Sequence, residues 1–288
     1  MSSIKTQIHN VIEHKKVRCF RNFRESEIVE SVASEVRVAL IYNGISHTVM
    51  MASPADLEYF AIGFTLSERI VEKPADIKSI ELEPNDKGVL IYIEITNRCF
   101  MALKDQRRNM AGRTGCGLCG VAQLEHAVKP TIRVNNNKRF NINLLQNVLS
   151  QLPKVQTMFN ITGATHAAMS LSESGEITSS YEDIGRHIAL DKLIGSYSKN
   201  GQITPAAILL TSRASFEMVQ KSASANIEII FAISAATSLA IELADKSNIT
   251  LVGFCRNNRA TIYTHSHRIT SENLNKLTAI ELEKKMAY

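Results

Sequence analysis

The stretch "GRTGCGLCGV", residues 112–121, places two thiols three positions apart, Cys116 and Cys119, among glycines and arginines. A Cys-x-x-Cys pair can supply half of a zinc site, cycle as a disulfide, or carry a loose sulfur atom as a persulfide. A structural zinc site needs about four ligands, and no second Cys-x-x-Cys stands in the chain. His265 and His267 are two apart, a poor spacing for zinc, and lie far along the sequence. No metal site is expected. A thioredoxin-like switch would set the pair between a strand and a helix of a compact βαβ unit, whereas here it follows a long stretch without periodicity. Sulfur carriage asks for a thiolate that is exposed and mobile at neutral pH. Gly115, Gly117 and Gly120 give mobility, and Arg107, Arg108 and Arg113 would lower a thiol pKa from its reference of about 8.5. A helix starting near Gly120 would add its dipole. The residue types therefore point to sulfur transfer first and leave disulfide exchange open. They do not separate Cys116 from Cys119.

The chain that must position these thiols has 288 residues, enough for one large domain or two ordinary ones. With 44% hydrophobic and 21% charged residues it can bury a core. Disorder is expected only in about the first twenty and last ten residues. The net charge of +5 is mild and no block of Lys or Arg forms a tail. That argues against nucleic acid and suits a phosphate-bearing ligand. The best apolar run, "IIFAISAATSLAI" from Ile229, is bounded by Glu228 and Glu242. It falls short of the roughly 18 to 20 residues of a membrane helix, so no membrane partner is expected. The start lacks the apolar segment of a secretory signal, which makes the expected compartment cytoplasmic and the thiols reduced. Cys19, Cys99 and Cys255 are isolated and read as small buried hydrophobes.

Two alternating apolar runs around Asn43-Gly44, from Val36 to Met51, predict a hairpin. Ser53-Pro54 before "ADLEYFAIGFTLSERI" predicts a helix with Ser53 as its N-cap. "KSIELE" and "VLIYIEI" predict a second strand pair around "PNDKG". The segment from Met101 to Gly120, rich in Arg, Gly and Asn, reads as an extended loop, and "VAQLEHAV" after it as a helix. A polar linker begins at Lys129, and the domain boundary is placed within it. Residues 1–135 then form a β-rich domain ending in the mobile Cys-x-x-Cys loop, and residues 136–288 a second domain.

From Phe159 onward strands and helices alternate. The strands are "AAMSLS", "GEITSSY", "AAILLT", "IEIIFAI", "TLVGF" and "ATIYTH", and the helices span 185–198, 215–225 and 237–246. Such alternation predicts a sheet covered by helices, with ligands at the carboxyl ends of strands and the N-termini of the following helices. The segments at those ends are "TGATHAA" with His166, "YEDIGRH" with Asp183, Arg186 and His187, "TSRASFE" with Arg213, "SAATS", and "FCRNNR" from Phe254 to Arg259. Singly, each has a structural reading: a surface ion pair, a core histidine, a helix cap, a polar turn. Their joint occurrence argues for a polar-ligand site.

Together "GRTGCGLCG", "FNITGATHAA", "EDIGRHIALDKLIG", "SRASFEMVQK", "SAATSLAIELA" and "GFCRNNRATIYTH" resemble the FdhD family, the sulfurtransferases required to make formate dehydrogenase active. The likeness runs from the Val36 hairpin to Tyr263. It implies that a cysteine desulfurase loads the Cys-x-x-Cys loop with sulfur. The acceptor it implies is the molybdenum or tungsten bis(molybdopterin guanine dinucleotide) cofactor destined for the catalytic subunit of formate dehydrogenase. It further implies a cytidine-deaminase-like, three-layer α/β fold for the second domain, and a homodimer. By the same resemblance Cys116 is the persulfide carrier, and Phe254, Cys255, Arg256, Asn257, Asn258 and Arg259 form the segment associated with the cofactor. Guanine suits a carboxylate acceptor facing its N1 and N2 donors, and Asp183 or Glu182 is the expected one.

The chain departs from the family pattern at Ile188, Ser212 and Ala236, where Asn, Gly and Pro are common, and none of these touches the cysteines. Zinc-dependent deamination is set aside because His166 is followed by Ala167 and Ala168, and "TSRAS" holds no cysteine. The expected function is thus a sulfurtransferase with Cys116 as nucleophile and Cys119 as resolving or assisting thiol. The alternatives are a cofactor-holding chaperone without sulfur chemistry and a thiol-disulfide oxidoreductase.

Overall fold

The computed structural model describes residues 10–111, 132–201, 204–256 and 258–271. Cys116, Cys119, Arg113, Asn257, the expected helix "VAQLEHAV" and the side chains of Arg107 and Arg108 lie outside the described residues. Two long strands come first, β1 (Ile12–Arg21) and β2 (Arg24–Ala33), paired antiparallel as a separate two-stranded sheet. Disorder was expected for the first of these. The β-branched and aromatic content of "IEHKKVRCFR" and "RESEIVESVA" supplies strand propensity that charge density masks in the sequence.

The Asn43-Gly44 hairpin forms as expected, joining β3 (Val36–Tyr42) to β4 (Ile45–Ala52), with both turn residues at positive φ. With β5 (Ile77–Asn85) and β6 (Gly88–Ile95) it makes a four-stranded sheet of order β4-β3-β6-β5. One face is apolar at every second residue, Val38, Leu40 and Tyr42 on β3 and Ile91 and Ile93 on β6. It buries Phe60, Ala61 and Phe64 of helix α1 (Leu57–Ser67).

Two expectations here are corrected. Helix α1 starts after Asp56, and Ser53 does not cap it; the Ser53 N–H and hydroxyl both donate to Asp183 instead. The expected loop from Met101 is in part helix α2 (Asn97–Ala111). Cys99 and Leu103, four apart, are buried on one face of it, and Met, Ala, Leu, Lys, Gln and Arg are all good helix formers. Reading Arg and Asn as loop signals overrode that propensity.

The second half is a six-stranded sheet of order β13-β12-β11-β10-β8-β9. Its strands are β8 (His166–Leu171), β9 (Ile177–Asp183), β10 (Ala207–Leu210), β11 (Ile229–Ala232), β12 (Thr250–Arg256) and β13 (Arg259–Ile262). β10, β11 and β12 run parallel, while β8, β9 and β13 run against their neighbours. Every residue of "AILL" in β10 is buried, as a strand covered on both faces requires. Ile208 and Leu210 meet Leu193, Met218 and Leu243 on one face. These come from the helices Arg186–Lys199, Phe216–Ser224 and Ser238–Lys246. Ala207 and Leu209 meet Phe140, Leu145 and Val148 on the other face, so helix, sheet and helix form three layers. In chain order the remaining helices are α3 (Leu145–Val155), α4 (Thr157–Thr162), α5 (Arg186–Lys199), α6 (Phe216–Ser224) and α7 (Ser238–Lys246). A further short pair, β7 (Phe140–Asn141) with β14 (Ile269–Thr270), brings the described C-terminal end to the start of this half. This is the β-rich plus three-layer α/β architecture expected.

The polar stretch beside residue 135 is held by backbone bonds. Asn137 and Lys138 donate their N–H groups to Glu228, and the buried Arg268 donates to the Asn135 carbonyl. The two halves meet where α1 crosses α5. A Cβ on Gly63 would stand 1.7 Å from the Asp191 carbonyl oxygen, and one on Gly195 1.9 Å from that of Tyr59, so only glycine lets the two backbones touch. Among the described residues no helix is long and apolar enough to cross a membrane.

Candidate functional site

Because β8 and β13 run against the three parallel strands, their first residues lie on the same edge of the sheet as the last residues of β10, β11, β12 and β9. That edge collects all five segments singled out in the sequence. In order across it stand Phe254–Arg256 with Asn258 and Arg259, Ser234–Ala236, Thr211–Arg213, His166 and Glu182–Asp183, with Arg186 and His187 opening α5. Five strand intervals make the row about 24 Å wide.

At one end β12 is irregular, its register shifting between Gly253 and Arg256. Phe254 takes φ 54°, a left-handed conformation that costs a bulky residue of order 1–3 kcal/mol. The shift turns its ring under the Arg259 guanidinium, 4.2 Å above the ring centroid. Arg256 and Asn258 are also on the surface. Cys255 is a correction to the cofactor-binding set, because its side chain points into the core beside Val252 and Phe231. Burial pushes its thiol pKa up to about 12, which suits a buried hydrophobe and not a ligand contact.

At the centre the loop after β10 crosses to the one after β11. Ala214 accepts from the Thr237 N–H and donates to the Ala235 carbonyl, which leaves Arg213 exposed. At the far end His187 Nε2 lies 2.7 Å from Glu217 Oε2, and an Arg186 nitrogen 3.9 Å from the same oxygen. Beside this pair opens a cavity of about 260 Å³ walled by Met50, Phe64, Glu68, Phe216, Gln220 and Lys221. His166 is half-buried, and burial, Arg186 and His187 together hold its pKa below the usual histidine value.

Neither carboxylate expected to read guanine is open to one. Asp183 is fully buried, with Oδ2 taking Lys192 Nζ at 2.7 Å, the Ser53 hydroxyl at 2.8 Å and the Ser53 N–H at 3.0 Å. Its Oδ1 takes the Gly185 N–H at 2.9 Å, at the start of α5. Glu182 accepts the Met158 and Phe159 N–H groups, each at 2.8 Å, and so neutralises the free N-terminus of α4. The pattern "YED" shows two acids but not the elements that fold over them. Sequence reasoning also missed Lys192 and Ser53 as partners of Asp183, and took Glu217 only as part of "TSRASFE". The one signal was Lys192 itself, a lysine amid the apolar "IALDKLIG" of a buried helix.

Comparison with known proteins agrees with this fold. The chain is 64% identical over 265 residues to the sulfur carrier protein FdhD of Shewanella oneidensis, an alignment covering 92% of this chain and 95% of that one. The crystal structure of a candidate formate dehydrogenase accessory protein from Desulfotalea psychrophila superposes with a TM-score of 0.71 at 23% identity, over 91% of this chain and 100% of that one. Residues 33–270, which span the Cys-x-x-Cys motif and the whole sheet edge, match the model of the FdhD/NarQ family, and the chain belongs to that family.

Proposed function

We propose that this chain is a sulfur carrier in the maturation of formate dehydrogenase. The Cys116 thiolate attacks the outer sulfur of a persulfide on a cysteine desulfurase. The donor's S–S bond breaks, its cysteine leaves as a thiolate, and the sulfane sulfur stays on Cys116. No net oxidation occurs. Cys119 is the assisting or resolving thiol. The acceptor is the molybdenum or tungsten bis-guanine-dinucleotide cofactor, a substrate that rests along the sheet edge.

The observation carrying this reading is the 64% identity, across nearly the whole chain, to a protein named as a sulfur carrier. The edge supports the acceptor assignment. It offers cations for phosphates in Arg186, Arg213, Arg256 and Arg259, an aromatic-guanidinium platform at Phe254 for a base, and half-buried His166 as a polar contact. With Asp183 and Glu182 committed elsewhere, guanine recognition falls to side chains and backbone along the edge other than those two carboxylates.

The test is intact-protein mass spectrometry of wild type, Cys116→Ala and Cys119→Ala after incubation with a cysteine desulfurase and cysteine, with and without reductant. A reductant-sensitive gain of one sulfur, lost only in Cys116→Ala, is expected. No gain on any of the three would leave a cofactor-holding chaperone as the better account.

A further inference from the structure

The cavity of about 260 Å³ beside the His187–Glu217 pair lies between the two halves of the chain, a setting in which ligand sites preferentially form. Met50 of β4, Phe64 of α1 and Glu68 just past it wall one side, and Phe216, Glu217 and Lys221 of α6 the other. The chemistry of its ligand follows from counting donors and acceptors. Lys221 is 6% exposed, and its ammonium has three protons to give. Four oxygens already crowd them, Ser67 Oγ, both of Asp191 and one of Glu68, none farther than 3.0 Å. An anion in the cavity would therefore meet no spare ammonium proton. His187 already donates through Nε2 to Glu217 Oε2, since a carboxylate only accepts. The second Glu217 oxygen, Oε1, has no partner among the described residues. What the wall holds open is an acceptor. Charge points the same way, because Asp191, Glu68 and Glu217 set three carboxylates against two fixed cations, Lys221 and, 3.9 Å from Glu217, Arg186. Phe64 already has the Lys221 Nζ 5.2 Å from its ring centroid, and Phe216 adds a second ring to the wall.

We propose that this cavity binds a protonated guanidine or amine carried on a short aliphatic stem. The head donates to Glu217 Oε1, and the stem lies along Met50, Phe64 and Phe216, as basic side chains lay their methylenes on apolar surface. At about 260 Å³ the cavity falls below the roughly 300 Å³ at which sites for drug-sized ligands begin, which suits one such group and not a nucleotide. Two sources supply this chemistry, a free small cation and an arginine or lysine of a docking protein. A basic side chain seated here would hold the protein that carries it against the sheet edge. The inference rests on the walls of the cavity alone and not on the sulfur-carrier reading.

The experiment follows the Met50 methyl by NMR in the full chain labelled with carbon-13 methyl methionine, the signal being assigned with Met50→Leu. The probes are butylguanidine, the capped peptide acetyl-Gly-Arg-Gly-amide, and the same peptide with citrulline, which keeps the shape of arginine and loses its charge. A saturable shift with a Kd of about 1 mM or tighter is expected for at least one of the two cations, and binding at least tenfold weaker for the citrulline peptide. Glu217→Gln keeps an acceptor for His187 and removes the charge, so it is expected to weaken the cation at least tenfold while the Met50 signal of the free protein stays in place. Binding of the arginine peptide would identify a protein side chain as a source that fits, and binding of butylguanidine alone a free cation. No Met50 shift with either cation up to about 20 mM would overturn the proposal. So would equal affinity for the citrulline peptide, or a Glu217→Gln chain that binds the cation as tightly as wild type.

Discussion

The Asp183–Lys192 pair gives the sharpest test of how the sheet edge is held. Both side chains are fully buried, 2.7 Å apart, and the ammonium also donates to the Ser53 hydroxyl and the Glu182 carbonyl. Replacing Lys192 by Met fills much of the same space but leaves the Asp183 carboxylate buried without a counter-charge. Breaking a buried pair in this way costs about 3–5 kcal/mol, a large share of the 5–15 kcal/mol that separates most domains from unfolding. For a protein of this size that is a fall of roughly 10 °C in Tm. Adding Asp183→Asn to Lys192→Met removes the stranded charge and keeps an acceptor for Ser53. Most of the loss should return, because replacing both members of a buried pair is far milder than removing one. Urea denaturation followed by circular dichroism measures all three proteins. A single-variant loss under about 1 kcal/mol, or a double variant no better than the single, would refute the claim that this ion pair holds the β9–α5 junction.

Two further outcomes follow from close contacts elsewhere. Gly195→Ala should forfeit about 3 kcal/mol or more in urea denaturation, because its Cβ would sit 1.9 Å from the Tyr59 carbonyl and must drive α1 from α5; a loss of a few tenths would mean the crossing is loose. Cys255, buried and with its pKa pushed up to about 12, should resist alkylation by iodoacetamide at pH 8 until denaturant is added, and rapid native labelling at that residue would show the segment turned outward.

Local rules made much of this protein readable without coordinates. Asn43-Gly44 between alternating runs fixed a hairpin because that turn matches strand twist. The βα alternation after Phe159 implied a covered sheet, and with it an edge where strand ends gather. What failed was local too. Charge hid the β1–β2 hairpin, and Arg and Asn hid α2, because composition was weighed above propensity. The Cys-x-x-Cys chemistry rests on residue type, spacing and family likeness, because the motif lies outside the described residues. Tertiary structure decided which side chains on the edge are free. Asp183 and Glu182 look like ligand acids in "YED", yet one faces a lysine nine residues on and a serine 130 residues back, and the other the N-terminus of α4. Cys255 and Arg256 are neighbours in sequence, but strand alternation buries the first and exposes the second. Sequence determines which groups a segment can offer, while their availability depends on partners brought by distant segments, and a one-dimensional pattern holds no record of those contacts.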